Sequence, residues 1–171
     1  MADSRYNRVL EISQVFPGYQ IAMLSDRTCG IRYYHQAIVE SVDLYNNTFN
    51  VIEKLPGGVR RNVFHLNDQE FWVIRNESRL FALQEVINRA ASRIDDSIFN
   101  ERYNFRSNNC EHFCEWCITG RSRSYQIDAM NAVVKSLLPV LERIWNLIDC
   151  LRSLTGPSRD HEDDLAGVQL V

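Results

Sequence analysis

Short runs rich in β-branched and aromatic residues fill the first half of the chain: Tyr19 to Leu24, Ile31 to Glu40, Phe49 to Leu55 and Glu70 to Arg75. Such side chains suit the pleated, half-buried surface of a strand. Between the runs stand Pro17-Gly18, Asp26 to Gly30, Asn46-Asn47 and Pro56-Gly57-Gly58, all turn formers. The pattern predicts an antiparallel meander. At Leu80 the period changes. Leu80, Leu83, Val86, Ile87, Ala90, Ala91 and Ile94 recur at helical spacing, while Gln84, Glu85, Asn88, Arg89 and Arg93 fall on the other side. A helix with one buried face is expected there. Asn108-Asn109 then offers a cap for a short helix from Cys110 to about Thr119, and Gly120 is placed to end it.

The last apolar pattern is the longest. Met130, Val133, Val134, Leu137, Leu138, Leu141, Ile144, Trp145, Ile148 and Leu151 share one stripe, opposite Lys135, Glu142, Arg143, Asn146, Asp149 and Arg152. That polar face is too charged for a transmembrane span. The stripe could lie in a membrane interface over residues 130–154, pack on the protein's own core, or meet a second copy of the chain. From Gly156, with Pro157 and the acidic run Glu162-Asp163-Asp164, the composition is that of a solvated tail. Three parts follow: a domain over 1–127, an amphipathic helical extension over 128–155 and an acidic tail over 156–171. Strands followed by helices make the expected class α+β, an antiparallel sheet packed against helices with a C-terminal amphipathic helix.

A chain of 171 residues can bury a core without disulfide or metal staples. Its formal charge of −3 gives no basic footprint for nucleic acid. Asp3 and Glu11 interrupt the first apolar stretch, which therefore lacks the pattern of a secretory signal, and the expected location is the cytosol. Five cysteines, an odd number, fit thiols in a reducing compartment.

A cysteine reacts as thiolate, and a helix N-terminus favours that charge through its unpaired N–H groups and the helix dipole. Cys110 stands at such a start. Its bland alternative is a small buried apolar residue. A nucleophilic thiol also needs a base, and there are four histidines to supply one. His161 lies in the acidic tail. His112, two residues after Cys110, points about 200° away on a helix and suits a supporting or surface role. His65 sits between Phe64 and Leu66, where a packed histidine is the default. His35 lies within an expected strand, whose stiff backbone can hold an imidazole in place. Cys110, Cys114 and Cys117 fall at i, i+4 and i+7, a spacing that raises zinc. No second Cys/His knuckle accompanies them, so buried packing is expected for Cys114 and Cys117, with no metal and no cofactor.

The run Asn108-Asn109-Cys110-Glu111-His112-Phe113, continuing through Trp116, Thr119-Gly120, Arg121, Arg123-Ser124 and Gln126, resembles the nucleophile signature of the lecithin retinol acyltransferase-like family. Upstream, Arg89 to Arg93 and Tyr103-Asn104 resemble the lead-in to that motif. Tyr33-Tyr34-His35-Gln36-Ala37-Ile38 resembles the family's first-histidine strand, and Val51-Ile52-Glu53 the strand after it. The similarity runs from about Pro17 to Ile127.

This resemblance implies a circularly permuted papain-like fold and thioester chemistry on acyl lipids, with a phospholipid as the substrate partner. It implies His35 as general base, Cys110 as nucleophile and Tyr33 as a substrate-positioning residue. Glu53 occupies the place of the third polar residue, usually histidine. A carboxylate there can accept the imidazole's other N–H and stabilise imidazolium. The loop between His35 and Glu53 is longer than usual in the family, so Asn47, Asn50 and His65 stay open as third members. A phospholipase or acyltransferase of this kind forms a thioester on Cys110, which water or another acceptor then takes. The alternatives are a cysteine peptidase or amidase, and an inactive interaction module of the same fold.

Overall fold

A computed structural model describes residues 5–28, 31–94, 96 and 103–130, and beyond them 135–137, 139–140, 143–144 and 147. Six strands form one antiparallel sheet: β1 (Tyr6–Arg8), β2 (Gln20–Thr28), β3 (Ile31–Asp43), β4 (Thr48–Leu55), β5 (Gly58–His65) and β6 (Phe71–Ile74). Their spatial order is β1-β6-β2-β3-β4-β5. Three helices follow: α1 (Leu83–Ala91), α2 (Cys110–Thr119) and α3 (Tyr125–Ala129). The class is α+β, as expected. Among the described residues no helix is long and apolar enough to cross a membrane.

The two-residue period of the central strands divides the apolar side chains between the two faces of the sheet. Ala37, Val39, Phe49 and Val51 join Ile21, Met23 and Phe71 in one cluster, closed by Val9 and Val15 from the first segment. Ile38 and Ile52 join Val86 and Ala90 of α1 and Phe113, Cys114, Cys117 and Ile118 of α2 in the other. The helical layer therefore covers one face only. β4 returns into β5 through Pro56-Gly57, where Gly57 (φ 104°) and Gly58 (φ 122°) take backbone conformations that a side chain would oppose.

Two expectations about the helical layer need correction. Leu80 and Leu83 do not belong to a buried stripe: Leu80 is 70 % exposed and Leu83 is 39 % exposed. The backbone N–H groups of Leu80 and Phe81 instead donate to the carbonyl of Ile118. This extended docking satisfies an acceptor near the end of α2 and delays the start of α1 to Leu83. Nor does Arg89 face away from the core. Its Nε donates to the Cys117 carbonyl at 3.1 Å and its Nη2 to that of Trp116 at 2.9 Å, and its guanidinium lies over the rings of Phe81 and Trp116, each 4.1 Å from the centroid. A cation at a helix C-terminus is electrostatically favoured.

Most of the stretch over 130–154, and all of the tail from 156, lie outside the described residues. The described residues between 135 and 147 are helical, and Leu137, Val140, Ile144 and Leu147 are exposed.

Candidate functional site

Helix α2 is buried almost all round, with Trp116 the one residue of its ten that is not. Its first turn is fixed by a capping box. Asn109 is the N-cap; its Oδ1 accepts from the His112 backbone N–H at 3.0 Å, and its own N–H donates to His112 Nδ1 at 3.4 Å. Asn109 Nδ2 also donates to the Phe105 carbonyl at 2.6 Å, tying the preceding loop to the helix start. His112 thus has the supporting role expected of it. Gly120 ends the helix in the left-handed conformation (φ 76°).

Cys110 opens this helix and is only 2 % exposed. His35 of β3 is buried beside it, and Glu53 of β4 is buried beside His35. Ala37 pairs with Glu53 across the β3–β4 ladder, and the register shifts between Val39 and Ser41. The side-chain alternation puts His35 and Glu53 on the same face. His35 Nε2 lies 2.8 Å from Glu53 Oε2. Glu53 Oε1 accepts from Arg60 Nε at 3.2 Å and from Asn62 Nδ2 at 3.0 Å. Of the other residues left open as third members, Asn50 bonds Ser41, Asn47 bonds Asn67, and His65 pairs with Thr48 at the opposite end of β4.

Electrostatics follow from this packing. Burial alone would lower the His35 pKa, but neighbouring Cys110 and then Glu53 outweigh it and push the value up to about 10. Burial would raise the Glu53 carboxyl, yet its bonds and attraction to His35 and Arg60 hold it below the usual carboxylate range. With Nε2 engaged by Glu53, Nδ1 is the ring nitrogen left over; it is buried and has no hydrogen-bond partner among the described residues. A cavity of about 270 Å³ beside the pair is lined by Tyr33, His35, Glu53, Arg60, Asn62 and Phe64, among others.

Tyr103 is a site neighbour that the sequence does not single out beyond the lead-in to the motif. Its phenol is a neighbour of the Cys110 thiol; burial first, then Cys110 and Tyr33, raise its pKa well above the usual value. It therefore stays protonated and able to donate. No local signal marks it, because a single tyrosine seven positions before a cysteine has no periodic or chemical pattern of its own. Tyr33 packs edge-on against Phe105 with ring centroids 5.2 Å apart, and Phe105 and Ile127 form a small apolar cluster with Tyr33, Tyr103 and Met130 around them.

In the same first turn, Glu111 is also buried. Its Oε2 accepts from Ser124 Oγ, from the Gln126 backbone N–H at 3.1 Å and from Gln126 Nε2 at 3.2 Å. Gln126 in turn accepts from the Tyr34 N–H at 2.7 Å and donates to the Tyr34 carbonyl at 3.0 Å. One side-chain amide therefore connects the residue after Cys110 to the residue before His35. Cys114 and Cys117 pack in the helical core, where burial raises both thiols.

A thiol at a capped helix start thus stands beside an imidazole held by a carboxylate, on the antiparallel sheet of an α+β protein. The lecithin retinol acyltransferase family model matches residues 31–123, a span that contains Tyr33, His35, Glu53, Tyr103 and Cys110. That is more than half of the 171 residues, and the chain belongs to the lecithin retinol acyltransferase family, whose type is acyltransferase and phospholipase. Comparison with curated proteins gives no match, and neither does comparison with solved structures.

Proposed function

We propose that the protein transfers or hydrolyses acyl groups of phospholipids through a thioester on Cys110, with His35 as its base and Glu53 as the residue that orients His35. The observation that carries this reading is the 2.8 Å contact between His35 Nε2 and Glu53, which leaves Nδ1 for the thiol. A ring whose pKa is raised to about 10 holds, at neutral pH, the proton that the thiol gives up. Sγ attacks the ester carbonyl, forming a C–S bond. Backbone N–H groups at the start of α2 stabilise the oxyanion, and Tyr103 and Tyr33 are the nearby phenols that position it. The ester C–O bond then breaks, and His35 returns the proton to the departing lysophospholipid oxygen. Water releases a fatty acid; an amine or hydroxyl acceptor takes the acyl group instead.

The proposal includes the finer fold: a circularly permuted papain-like domain over 1–127, in which the histidine strand precedes the cysteine helix, then a helical extension over 128–155 and a tail over 156–171. The apolar cluster of Phe105 and Ile127 supports an acyl chain beside the thiol. The exposed Leu137, Val140, Ile144 and Leu147, spaced to share one helical face, support peripheral contact of this extension with a lipid surface.

Incubation with labelled phosphatidylcholine tests the reading. Released lysophospholipid and an acyl mass adduct on the Cys110 peptide, lost by alkaline hydroxylamine, are expected. A Cys110 peptide that stays unmodified while substrate is consumed would remove the thioester. A truncation ending at Asp128 that remains folded and still sediments fully with liposomes would remove the membrane role of the extension.

A further inference from the structure

Against the N-terminal edge of the sheet lies a second cavity, of about 760 Å³, with no catalytic group in its wall. That volume is within the range of small-molecule sites. Val9 and Ile74 form its buried apolar floor, with Val73 and Leu83 beside them. Three arginines, Arg8, Arg75 and Arg79, also line it.

These arginines are not equivalent. Arg8 is paired with Glu70. Arg75 is exposed, and among the described residues its guanidinium has no ion pair. Arg79 is half-buried; its Nη1 is sealed from solvent and has no hydrogen-bond partner among the described residues. Glu77, the carboxylate of the same wall, forms no ion pair with it. Tyr19, from β2's lead-in, is the group whose electrostatic influence reaches Arg79. An arginine stays charged in a protein, and sealing one of its N–H groups without an acceptor carries a desolvation cost. In native proteins such groups are nearly always satisfied. Arg79 lines the roomy cavity, and a guanidinium with no ion pair among the described residues is a fork without its oxyanion, whose geometry matches phosphate or carboxylate.

We propose that this cavity binds a small phosphate-bearing molecule with an apolar body, anchored by Arg79 with Arg75 at the rim, at a site separate from Cys110. The polar end is set by the unpaired Arg79, and the apolar body by Val73, Ile74 and Leu83. A soluble phosphate ester and a phospholipid headgroup present the same chemistry. The site is independent of the acyl-transfer reading, because its wall shares no residue with the His35–Glu53 cavity.

The test is a titration of the intact chain with hexyl phosphate below its micelle concentration, with inorganic phosphate, and with phosphatidylcholine vesicles containing or lacking phosphatidic acid. Amide resonances report the site. Hexyl phosphate should bind more tightly than inorganic phosphate and shift the resonances of 7–9 and 73–79. Arg79→Gln should weaken binding at least ~10-fold, Arg79→Lys less, and Cys110→Ser not at all. Binding only to vesicles with phosphatidic acid, with the same Arg79 dependence, would identify the headgroup as the source. If Arg79→Gln unfolds, the location of the wild-type shifts decides. Shifts confined to residues outside the cavity, or binding of every probe unchanged by Arg79→Gln, would overturn the proposal.

Discussion

Cys110 and Cys117 lie on the same buried helix, yet their surroundings ask opposite things of a thiol. Cys117 sits among Val86, Ala90 and Ile118, where burial pushes its pKa up and Arg89 and Arg93 offset only part of that. Cys110 sits at the capped end, with His35 and the Tyr103 phenol as neighbours. Burial is nearly equal, at 0 % and 2 % exposure. Position on the helix and one partner strand, not exposure, separate a packing sulfur from a candidate nucleophile.

The sharpest way to break this contrast is labelling with a thiol-directed acyl mimetic. Wild type and Cys117→Ser should label at Cys110 to the same extent, and Cys110→Ser not at all. Equal labelling of Cys110→Ser and wild type ends the assignment. Next in size is the orienting carboxylate. Glu53→Gln should lower the acylation rate by roughly 10³- to 10⁴-fold with KM nearly unchanged, whereas Glu53→His should keep more activity. A loss confined to KM would make Glu53 a binding residue instead.

A third outcome is read from pH. The folded His35 pKa, about 10, exceeds its usual 6.5, so its stabilisation is complete below about 6.5 and is lost as pH rises from there through about 10. Glu53, held below its usual value, contributes above that value and loses its contribution as pH falls. The melting-temperature deficit of His35→Gln against wild type should therefore shrink between pH 6.5 and 10. A constant deficit would mean that the ring is neutral in the folded protein. The smallest effect belongs to the cap: Asn109→Ala should cost about 1 kcal/mol, or about 2–4 °C in Tm. Acylation should fall with it, while a substitution at Cys117 of equal cost in stability leaves the rate alone.

Much of this contrast is visible in the residues. Asn109 before Cys110 and Gly120 after Thr119 mark both ends of α2, because caps are local chemistry. The strand runs of β2, β3, β4 and β6 are marked by their branched and aromatic side chains. Other features depend on partners distant in the chain. β1 is three residues, too short to carry a period. β5 contains Arg60, Arg61 and Asn62, whose charge and polarity hide a strand that its pairing with β4 makes plain. Arg89 reads as a solvent-facing residue until the carbonyls of α2 arrive beneath it. Tyr103 becomes relevant only when folding sets it against Cys110. Glu53 lies between these cases, since its place on a strand is readable but its meeting with His35 depends on the irregular register between β3 and β4.

The neighbouring residues Glu53 and Lys54 point to opposite faces of β4. Glu53 holds His35; Lys54, 1 % exposed, donates from Nζ to Asn108 Oδ1, just before the cap of α2. The His35 imidazole and the start of α2 that carries Cys110 are thus referenced to consecutive positions on one internal strand, as two parts of a fixture are located from one edge. Any drift of that strand carries both groups with it, so their alignment errors cancel instead of adding. Slow breathing of the outer loops would then change how readily a substrate enters long before it changed the aim of sulfur and ring.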